Sequence, residues 1–234
     1  MKILAIDVGG SHVKCLASGQ KTARAFVSGP TLTAADMVRG VLDIARGWRF
    51  DAVSIGYPGP VLHGAPLREP HNLGEGWVGF DYAAAFGRPV KVINDAAMQA
   101  LGSYEGGRML FLGLGTGLGS ALIVDGELEA LELAHLPYRK GRTYEDYVGE
   151  GGLERLGKKK WRQAVLDVVD ELKAALGPDY VVLGGGNVRH MKTLPDDVRR
   201  GDNSNAFVGG FRLWDEPRPA AAAAPKKTAR GRAA

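Results

Sequence analysis

The chain has 234 residues, enough for one large domain or two of about 100 residues each. Its 45% hydrophobic and 24% charged residues are typical of a globular protein, and no apolar run approaches the roughly 20 residues of a membrane span. The formal net charge of +4 is concentrated at one end, because residues 217–234 hold five cations and no acid. The rest of the chain carries −1 and therefore predicts neither a nucleic-acid face nor a membrane partner.

The start of the chain and its single cysteine indicate the cellular compartment and limit the kinds of metal site. The chain opens on an apolar strand rather than on a signal peptide. Cys15 is the single cysteine and lies in an apolar segment, so it cannot form an internal disulfide. We therefore expect a cytoplasmic protein, and no thiolate zinc site can form.

The first strand and turn contain the residue types that phosphate chemistry uses. Residues 3–6 are an apolar run that ends at Asp7, and Gly9-Gly10 then turns the backbone into a second strand that carries Ser11 and Lys14. Glycine amides, a hydroxyl, a carboxylate and a lysine suit a transferring phosphoryl group. The alternative is an ordinary hairpin whose Asp and glycines only form the turn.

Strands and helices alternate through the first half of the chain. A third strand is predicted at 23–28, and a helix capped by Thr33 follows it. The remaining segments are a strand at 51–55, a long loop at 61–80, a short helix at 82–86, a strand at 89–95 and a helix at 96–104. This order predicts an α/β domain with a mixed sheet.

The pattern restarts at Met109. An apolar strand at 109–112 leads into the glycine-rich turn 113–119, and a second strand follows at 120–124. Asp125-Gly126 predicts a two-residue hairpin turn. The later segments are a helix at about 160–176, a strand at 180–183 ending in three glycines, an irregular stretch at 189–203 and a last helix at 205–214.

Three apolar strands thus end in glycine-rich turns, distributed over two similar halves. We expect a domain at 1–105 that the helix at 205–214 completes, a domain at 106–204, and a disordered basic tail at 215–234. A ligand bound in a cleft between the halves would face all three turns. The turn 113–119 is not the G-x-G-x-x-G of a dinucleotide site, and no P-loop motif occurs.

Five motifs in register resemble those of the ROK sugar kinases, which have the two-domain actin-like, hexokinase-like (ribonuclease H-like) ATPase fold. The motifs are Asp7-x-Gly9-Gly10-Ser11-x-x-Lys14, Asn94-Asp95, Gly113-x-Gly115-Thr116-Gly117-x-Gly119, Glu132-x-x-His135 and Gly184-Gly185-Gly186. The resemblance covers about residues 1–214. The Gly56-Tyr57-Pro58-Gly59 segment and the short chain resemble the polyphosphate glucokinase branch most.

The resemblance implies a role for each motif. Asp95 would be the general base that accepts the sugar hydroxyl proton, although a helix N-cap is its alternative role. Asp7 would hold Mg²⁺ through water. Sugar binding is implied for Asn72, Asn94, Asp95, Glu132 and His135. Phosphate or nucleotide binding is implied for Asp7, Gly9, Gly10, Ser11, Lys14, Gly113, Gly115, Thr116, Gly117, Gly119, Gly184, Gly185 and Gly186. For Lys14, phosphate contact and a solvated strand position remain open.

The resulting hypothesis is a kinase that transfers a phosphoryl group from polyphosphate, ATP or both to the 6-hydroxyl of glucose. One alternative is an ATP-dependent kinase of mannose, fructose or an N-acetylhexosamine. Another is a non-catalytic sugar-binding or regulatory protein of the family. A homodimer is expected from the family. Lys158-Lys159-Lys160 and the basic tail could attract a polyanion, but a solvated helix start and a disordered tail are the simpler interpretation.

Overall fold

The computed structural model describes residues 1–215, so the basic tail predicted at 215–234 lies outside the described residues except for Asp215. The first half forms, in chain order, β1 (Ile3–Val8), β2 (His12–Ala17), β3 (Arg24–Val27), α1 (Ala34–Ile44), β4 (Ala52–Tyr57), β5 (Val61–Leu62), β6 (Ala65–Pro66), α2 (Tyr82–Phe86), β7 (Val90–Asn94) and α3 (Asp95–Ser103). Its main sheet has the order β3-β2-β1-β4-β7. The pairs among β1, β2 and β3 are antiparallel, and β1, β4 and β7 run parallel.

The second half repeats this arrangement. It forms β8 (Arg108–Leu114), β9 (Leu118–Val124), β10 (Glu127–Leu131), α4 (Tyr144–Val148), α5 (Glu150–Leu176), β11 (Tyr180–Gly184), β12 (Val198–Arg200) and α6 (Asn205–Arg212), with 3₁₀ helices at Leu133–His135 and Gly186–His190. The sheet order is β10-β9-β8-β11-β12, with β8, β9 and β10 antiparallel and β8, β11 and β12 parallel. The mixed α/β fold with two similar halves is therefore confirmed.

Helices α3 and α6 lie between the two sheets. Small residues of α3, among them Ala96 and Ala100, pack with Phe111 and Ile123 of the second sheet. Helix α6 contacts α3 so closely that a Cβ on Gly209 would collide with the carbonyl oxygen of Met98. The glycine pair that weakens the helical pattern at 205–214 is thus what lets this helix pack.

The C-terminal helix is also hydrogen-bonded to the first sheet. The buried Ser54 hydroxyl on β4 donates to the carbonyl of Gly210 at 2.5 Å and accepts from the Trp214 indole at 2.9 Å. The Lys91 ammonium on β7 donates to the carbonyl of Leu213 at 2.9 Å. These contacts tie residues 205–214 to the first half, while the domain boundaries themselves stay a prediction.

Two segments of the second half differ from the prediction: a predicted helix is present but longer, and a stretch predicted as irregular contains a strand. The helix predicted at 160–176 begins at Glu150 and is kinked at Gly157, whose φ of 71° and ψ of 159° are not helical. Its first turns were hidden because glycines at 151, 152 and 157 interrupt the helical pattern. The stretch 189–203 contains β12, a short edge strand whose charged residues hide its strand character. Within residues 1–215, no helix is both long and apolar enough to cross a bilayer.

Candidate active site

The carboxyl ends of three parallel strands converge where α3 begins. Asp7 on β1 is in register with Gly56 on β4, and Gly56 is in register with Ile93 on β7. Asp95 follows β7 as the first residue of α3. A Cβ on Gly56 would collide with Met98 Cε of α3 and lie 3.5 Å from the Asp95 Cα, so the missing side chain makes room for Met98 where the start of α3 packs against β4. The fold therefore brings Asp7 and Asp95 to the same sheet edge.

Asn94, rather than Asp95, caps helix α3. Its Oδ1 accepts from the Ala97 amide at 3.1 Å, and its Nδ2 donates to the Gly59 carbonyl at 3.1 Å. Asp95 Oδ1 accepts from the adjacent Ala96 amide at 2.8 Å, and no other residue of 1–215 donates a hydrogen bond to this carboxylate. The alternative role of Asp95 as the N-cap is therefore wrong, and its second carboxylate oxygen is left for other partners.

Asp95 has an unusual electrostatic environment. Burial, followed by the nearby Asp7 carboxylate, raises the pKa of Asp95 to about 7, while the Ala96 amide opposes the rise and Glu132 adds to it. Burial also raises the pKa of Asp7, and the charge of Lys14 opposes that rise. Asp7 and Glu132 thus both act on Asp95, whose pKa lies near neutral pH.

Lys14 lies directly across β1–β2 from Asp7. The two residues are paired in the antiparallel register, so their side chains share one face of the sheet. Lys14 is half-buried and its charge acts on Asp7. It is therefore a neighbour of the candidate site, not a freely solvated strand residue.

The turn after β1 has its own internal hydrogen bonds. The Gly9 amide donates to the His12 carbonyl at 3.0 Å, and the Gly9 carbonyl accepts from the Ser28 hydroxyl at 2.6 Å. Within residues 1–215 the amides of Gly10 and Ser11, which are both exposed, have no acceptor. The donors that this turn offers to a ligand are thus Gly10 and Ser11, because the Gly9 amide is already paired.

The long loop after β4 brings Asn72 to the same turn. A Cβ on Gly10 would lie 3.4 Å from the Asn72 Cβ. The loop is anchored by the fully buried Trp77, whose indole donates to the Leu32 carbonyl at 3.2 Å. The Glu69 carboxylate accepts the Trp77 amide at 3.0 Å. Asn72 itself is exposed and presents its amide beside Gly10.

Glu132 and His135 are contributed by the second half. The Ser120 hydroxyl on β9 donates to the Leu131 carbonyl at 2.7 Å and accepts from the Leu133 amide at 3.3 Å, so it fixes the backbone on both sides of Glu132. The exposed Glu132 carboxylate acts on the pKa of Asp95 across the cleft. His135 is exposed at the end of the 3₁₀ helix, and no hydrogen bond ties its side chain to another residue of 1–215.

The glycine turn 113–119 lies at the corresponding edge of the second sheet. Gly113 is in register with both Gly119 and Gly184, so the turn at 184–186 lies at the same edge. A Cβ on Gly119 would lie 2.6 Å from the Ala96 Cβ, which places this turn beside the residue that follows Asp95. The turn 113–119 therefore faces the start of α3, and the turn at 184–186 begins beside Gln99, one helical turn further along α3.

Three hydrogen bonds fix the backbone conformation of the turn 113–119. Gly115 donates to the Gly117 carbonyl at 3.2 Å and accepts from the Asn187 amide group at 3.1 Å. The Leu118 amide donates to the Glu145 carboxylate at 3.1 Å. The amides of Thr116 and Gly117 have no acceptor within the described part of the chain. They are the donors available for an anion, in the manner of backbone nests that bind phosphate.

Sequence reasoning missed Glu145 and Asn187. Asn187 is a buried polar residue that follows the three glycines, and a polar side chain after a glycine turn was the available signal. Glu145 lies in the first turn of α4, where an acidic residue is common because it interacts favourably with the helix dipole. Its hydrogen bond with the Leu118 amide could therefore not be predicted from the sequence.

The metal-binding capacity of the site rests on few residues. Within residues 1–215, no three His, Cys, Asp or Glu side chains are grouped so as to hold a metal ion. Mg²⁺ is commonly held by one or two carboxylates together with substrate phosphates and water. The half-buried Asp7, at the strand end beside the Gly10 and Ser11 amides, fits that arrangement.

Solved structures that carry the names of sugar kinases have the same fold as this chain. An inorganic polyphosphate/ATP-glucomannokinase from Arthrobacter sp. strain KM superposes with a TM-score of 0.76 at 24% identity, over 89% of this chain and 96% of that one. A ROK family glucokinase from Streptomyces griseus, in complex with glucose and AMPPNP, gives a TM-score of 0.71 at 17% identity, over 91% and 99% of the two chains. These matches confirm the hexokinase-like, actin-like ATPase fold.

Sequence comparison identifies the family. The polyphosphate glucokinase of Mycobacterium tuberculosis (strain ATCC 25177 / H37Ra) is 30% identical over 202 residues, which cover 79% of this chain and 72% of that protein. The chain belongs to the ROK family of sugar kinases, close to its polyphosphate glucokinase branch. A glucokinase of Pyrobaculum calidifontis is 27% identical over 79% of each chain. No model of a protein family matches this chain, so the family assignment comes from the related sequences.

Family membership confirms the class of activity. The chain is a kinase, a phosphotransferase with an alcohol acceptor, and its substrates are a sugar and a phosphoryl donor. The roles of the individual site residues stay predictions.

Proposed function

We propose that this ROK kinase transfers a phosphoryl group from inorganic polyphosphate, ATP or both to the 6-hydroxyl of glucose, with Asp95 as the general base. Support for glucose and for polyphosphate comes from the names of the relatives, two of which are a polyphosphate glucokinase and a glucokinase. The observation that carries the proposal is the position and pKa of Asp95 in the cleft.

A general base works best when its pKa lies near the working pH. Burial and Asp7 raise the pKa of Asp95 to about 7, so at neutral pH a large fraction of the carboxylate is ready to accept a proton. Because one Asp95 oxygen is held by the Ala96 amide, the carboxylate is oriented while its other oxygen can face the acceptor hydroxyl. Asp95 would take that proton as the new O–P bond forms.

The sugar would be held by polar side chains from both halves. Asn72 beside Gly10 and Glu132 across the cleft are exposed groups that can bind hydroxyls, and His135 is a further candidate. Asn94 retains one amide N–H after its bonds to Ala97 and Gly59. A carboxylate or amide group can bind two neighbouring hydroxyls, which suits a neutral polyol.

The donor phosphates would be bound by backbone amides. Thr116 and Gly117 offer free amides in the second half, and Gly10 and Ser11 offer them in the first, with the turn at 184–186 at the same edge. Asp7 would hold Mg²⁺ through water, and the ion would supply charge neutralisation of the phosphates. Lys14 would add a further positive charge beside Asp7.

The test is a glucose phosphorylation assay with ATP and polyphosphate supplied separately, coupled to detection of glucose 6-phosphate. The proposal expects activity with at least one donor and its loss in Asp95→Asn. A panel with mannose, fructose and N-acetylhexosamines defines the acceptor. Turnover of another hexose but not of glucose would contradict the glucose assignment, and no turnover with either donor would contradict the whole proposal.

A further inference from the structure

One histidine and three cationic side chains lie near one another at the end of the 3₁₀ helix that follows the turn at 184–186. Lys158 and Arg162 lie one helical turn apart on α5, and Arg189 and His190 end the 3₁₀ helix that begins at Gly186. Arg162 Nε donates to the His190 carbonyl at 2.5 Å, and Arg189 Nε approaches His190 Nε2 at 3.4 Å. We name Lys158, Arg162, Arg189 and His190 the basic cluster.

The basic cluster has an excess of positive charge. Partial burial, followed by the charges of Lys158, Arg189 and Arg162, lowers the pKa of His190. Among the ion pairs of residues 1–215, none involves a member of the cluster. Lys158 and Arg189 are exposed. Uncompensated cations that face one another cost free energy unless an anion binds among them.

The basic cluster is structurally continuous with the glycine turn 113–119. The 3₁₀ helix that carries Arg189 also carries Asn187, which donates to the Gly115 carbonyl. Helix α5 begins at Glu150, whose amide donates to the Thr116 carbonyl at 3.1 Å. The elements that hold both sides of this turn are thus the elements that carry the four side chains of the cluster.

A second connection runs through Trp161. Its indole donates to the Val148 carbonyl at 2.9 Å, at the end of α4. Its ring meets the His190 ring edge-on, with centroids 6.4 Å apart and an interplanar angle of 90°. Trp161 is fully buried, so it fixes α5 against the 3₁₀ helix and keeps Lys158 and Arg162 beside His190.

We propose that the basic cluster binds the distal part of an inorganic polyphosphate chain whose reacting end occupies the glycine turns. A nucleotide donor ends in a nucleoside, whereas polyphosphate continues as a repeating anion and gains from every further cation along its path. This inference rests on the proposed function, because it assumes that the donor phosphates bind at the turns 113–119 and 184–186.

Helix periodicity supplies an internal control. Lys160 is two residues from Lys158, about 200° around the helix at 3.6 residues per turn, and therefore points away from the 3₁₀ helix. Lys21, exposed between β2 and β3, lies at the opposite edge of the first sheet from Asp7. Lys160→Ala/Lys21→Ala removes the same charge as Lys158→Ala/Arg189→Ala without touching the basic cluster.

The experiment measures KM for long-chain polyphosphate, tripolyphosphate and ATP in the full-length wild type and in both double variants, at low and high salt. We expect Lys158→Ala/Arg189→Ala to raise KM for long-chain polyphosphate about fivefold to tenfold at low salt, the scale of two exposed charge contacts. The slope of log KM against log salt should fall by about 1.4, since each of the two lost contacts to a single-stranded polyanion contributes about 0.7. KM for tripolyphosphate and ATP should not change.

Direct titration separates this inference from the proposed donor. If polyphosphate is bound but supports no turnover, polyphosphate is excluded as the donor, and cluster-dependent binding of long-chain polyphosphate still supports the basic cluster as a polyphosphate-binding site. Unchanged affinity in Lys158→Ala/Arg189→Ala, an equal loss in the control variant, or no binding by the wild type would overturn it. Cluster-dependent binding of single-stranded DNA as tight as that of polyphosphate would also overturn it, because the site would then accept any polyanion.

Discussion

Replacing Asp95 by Asn tests catalysis and electrostatics in one variant. The pKa of Asp95 rises from an ordinary 3.8 to about 7 in the folded chain. Between these values the folded protein keeps a proton that the unfolded chain has lost, so this group makes the protein less stable as pH rises. At about 1.4 kcal/mol per pKa unit, the penalty reaches up to about 4 kcal/mol above pH 7 and is absent below pH 4. Asn carries no such penalty.

We therefore expect Asp95→Asn to lower kcat by about 10² or more and to gain stability relative to the wild type as pH rises from 4 to 8. Urea denaturation across that range measures the second effect, and the coupled glucose assay measures the first. Asp196→Asn, at an exposed carboxylate, controls for the loss of one negative charge. A stability difference that does not change with pH would refute the electrostatic argument, and near-normal kcat would refute the assignment of the base.

Three further variants test the surroundings of Asp95 and the glycine turn. In Asp7→Asn the acid limb of kcat/KM should move to lower pH, because the Asp7 carboxylate raises the pKa of Asp95; a limb that stays in place would contradict this. Asn94→Ala removes the cap of α3, which costs about 1 kcal/mol and should lower Tm by about 2–4 °C in thermal denaturation. Asn187→Ala loses the bond to Gly115 and should raise the donor KM while the sugar KM stays constant in the same assay.

Local signals in the sequence predicted most of the fold. Thr33 caps α1 as predicted, and Asp125-Gly126 forms the hairpin turn with both φ values positive. The segment 109–124 predicted the second sheet because its glycine-rich turn separates two apolar segments of strand length. The kink at Gly157 and the edge strand β12 escaped prediction, because tertiary packing stabilises them against weak local propensity.

The sequence offered candidate site residues but not the contacts between them. Asn94 and Asp95 are adjacent in the sequence, and only the structure shows that Asn94 caps α3 and leaves Asp95 with a free oxygen. The approach of Asn72 to Gly10 depends on how Trp77 anchors a long loop. The bond from Leu118 to Glu145 joins residues 27 apart, and no short-range pattern encodes a contact of that kind.

Two carboxylates act on Asp95 from different halves of the molecule, and the fold fixes them in different ways. Asp7 is set by the parallel register of β1, β4 and β7, so its distance to Asp95 is a property of one sheet. Glu132 reaches Asp95 from the second sheet, across the packing of α3 against β9. Burial is the largest cause of the raised pKa of Asp95. Of the two carboxylates, Asp7 should therefore contribute the more constant share, whereas the contribution of Glu132 depends on how closely the two halves approach. The proposed base is thus set within the first half, and the second half would supply the glycine turns 113–119 and 184–186 to the proposed donor site.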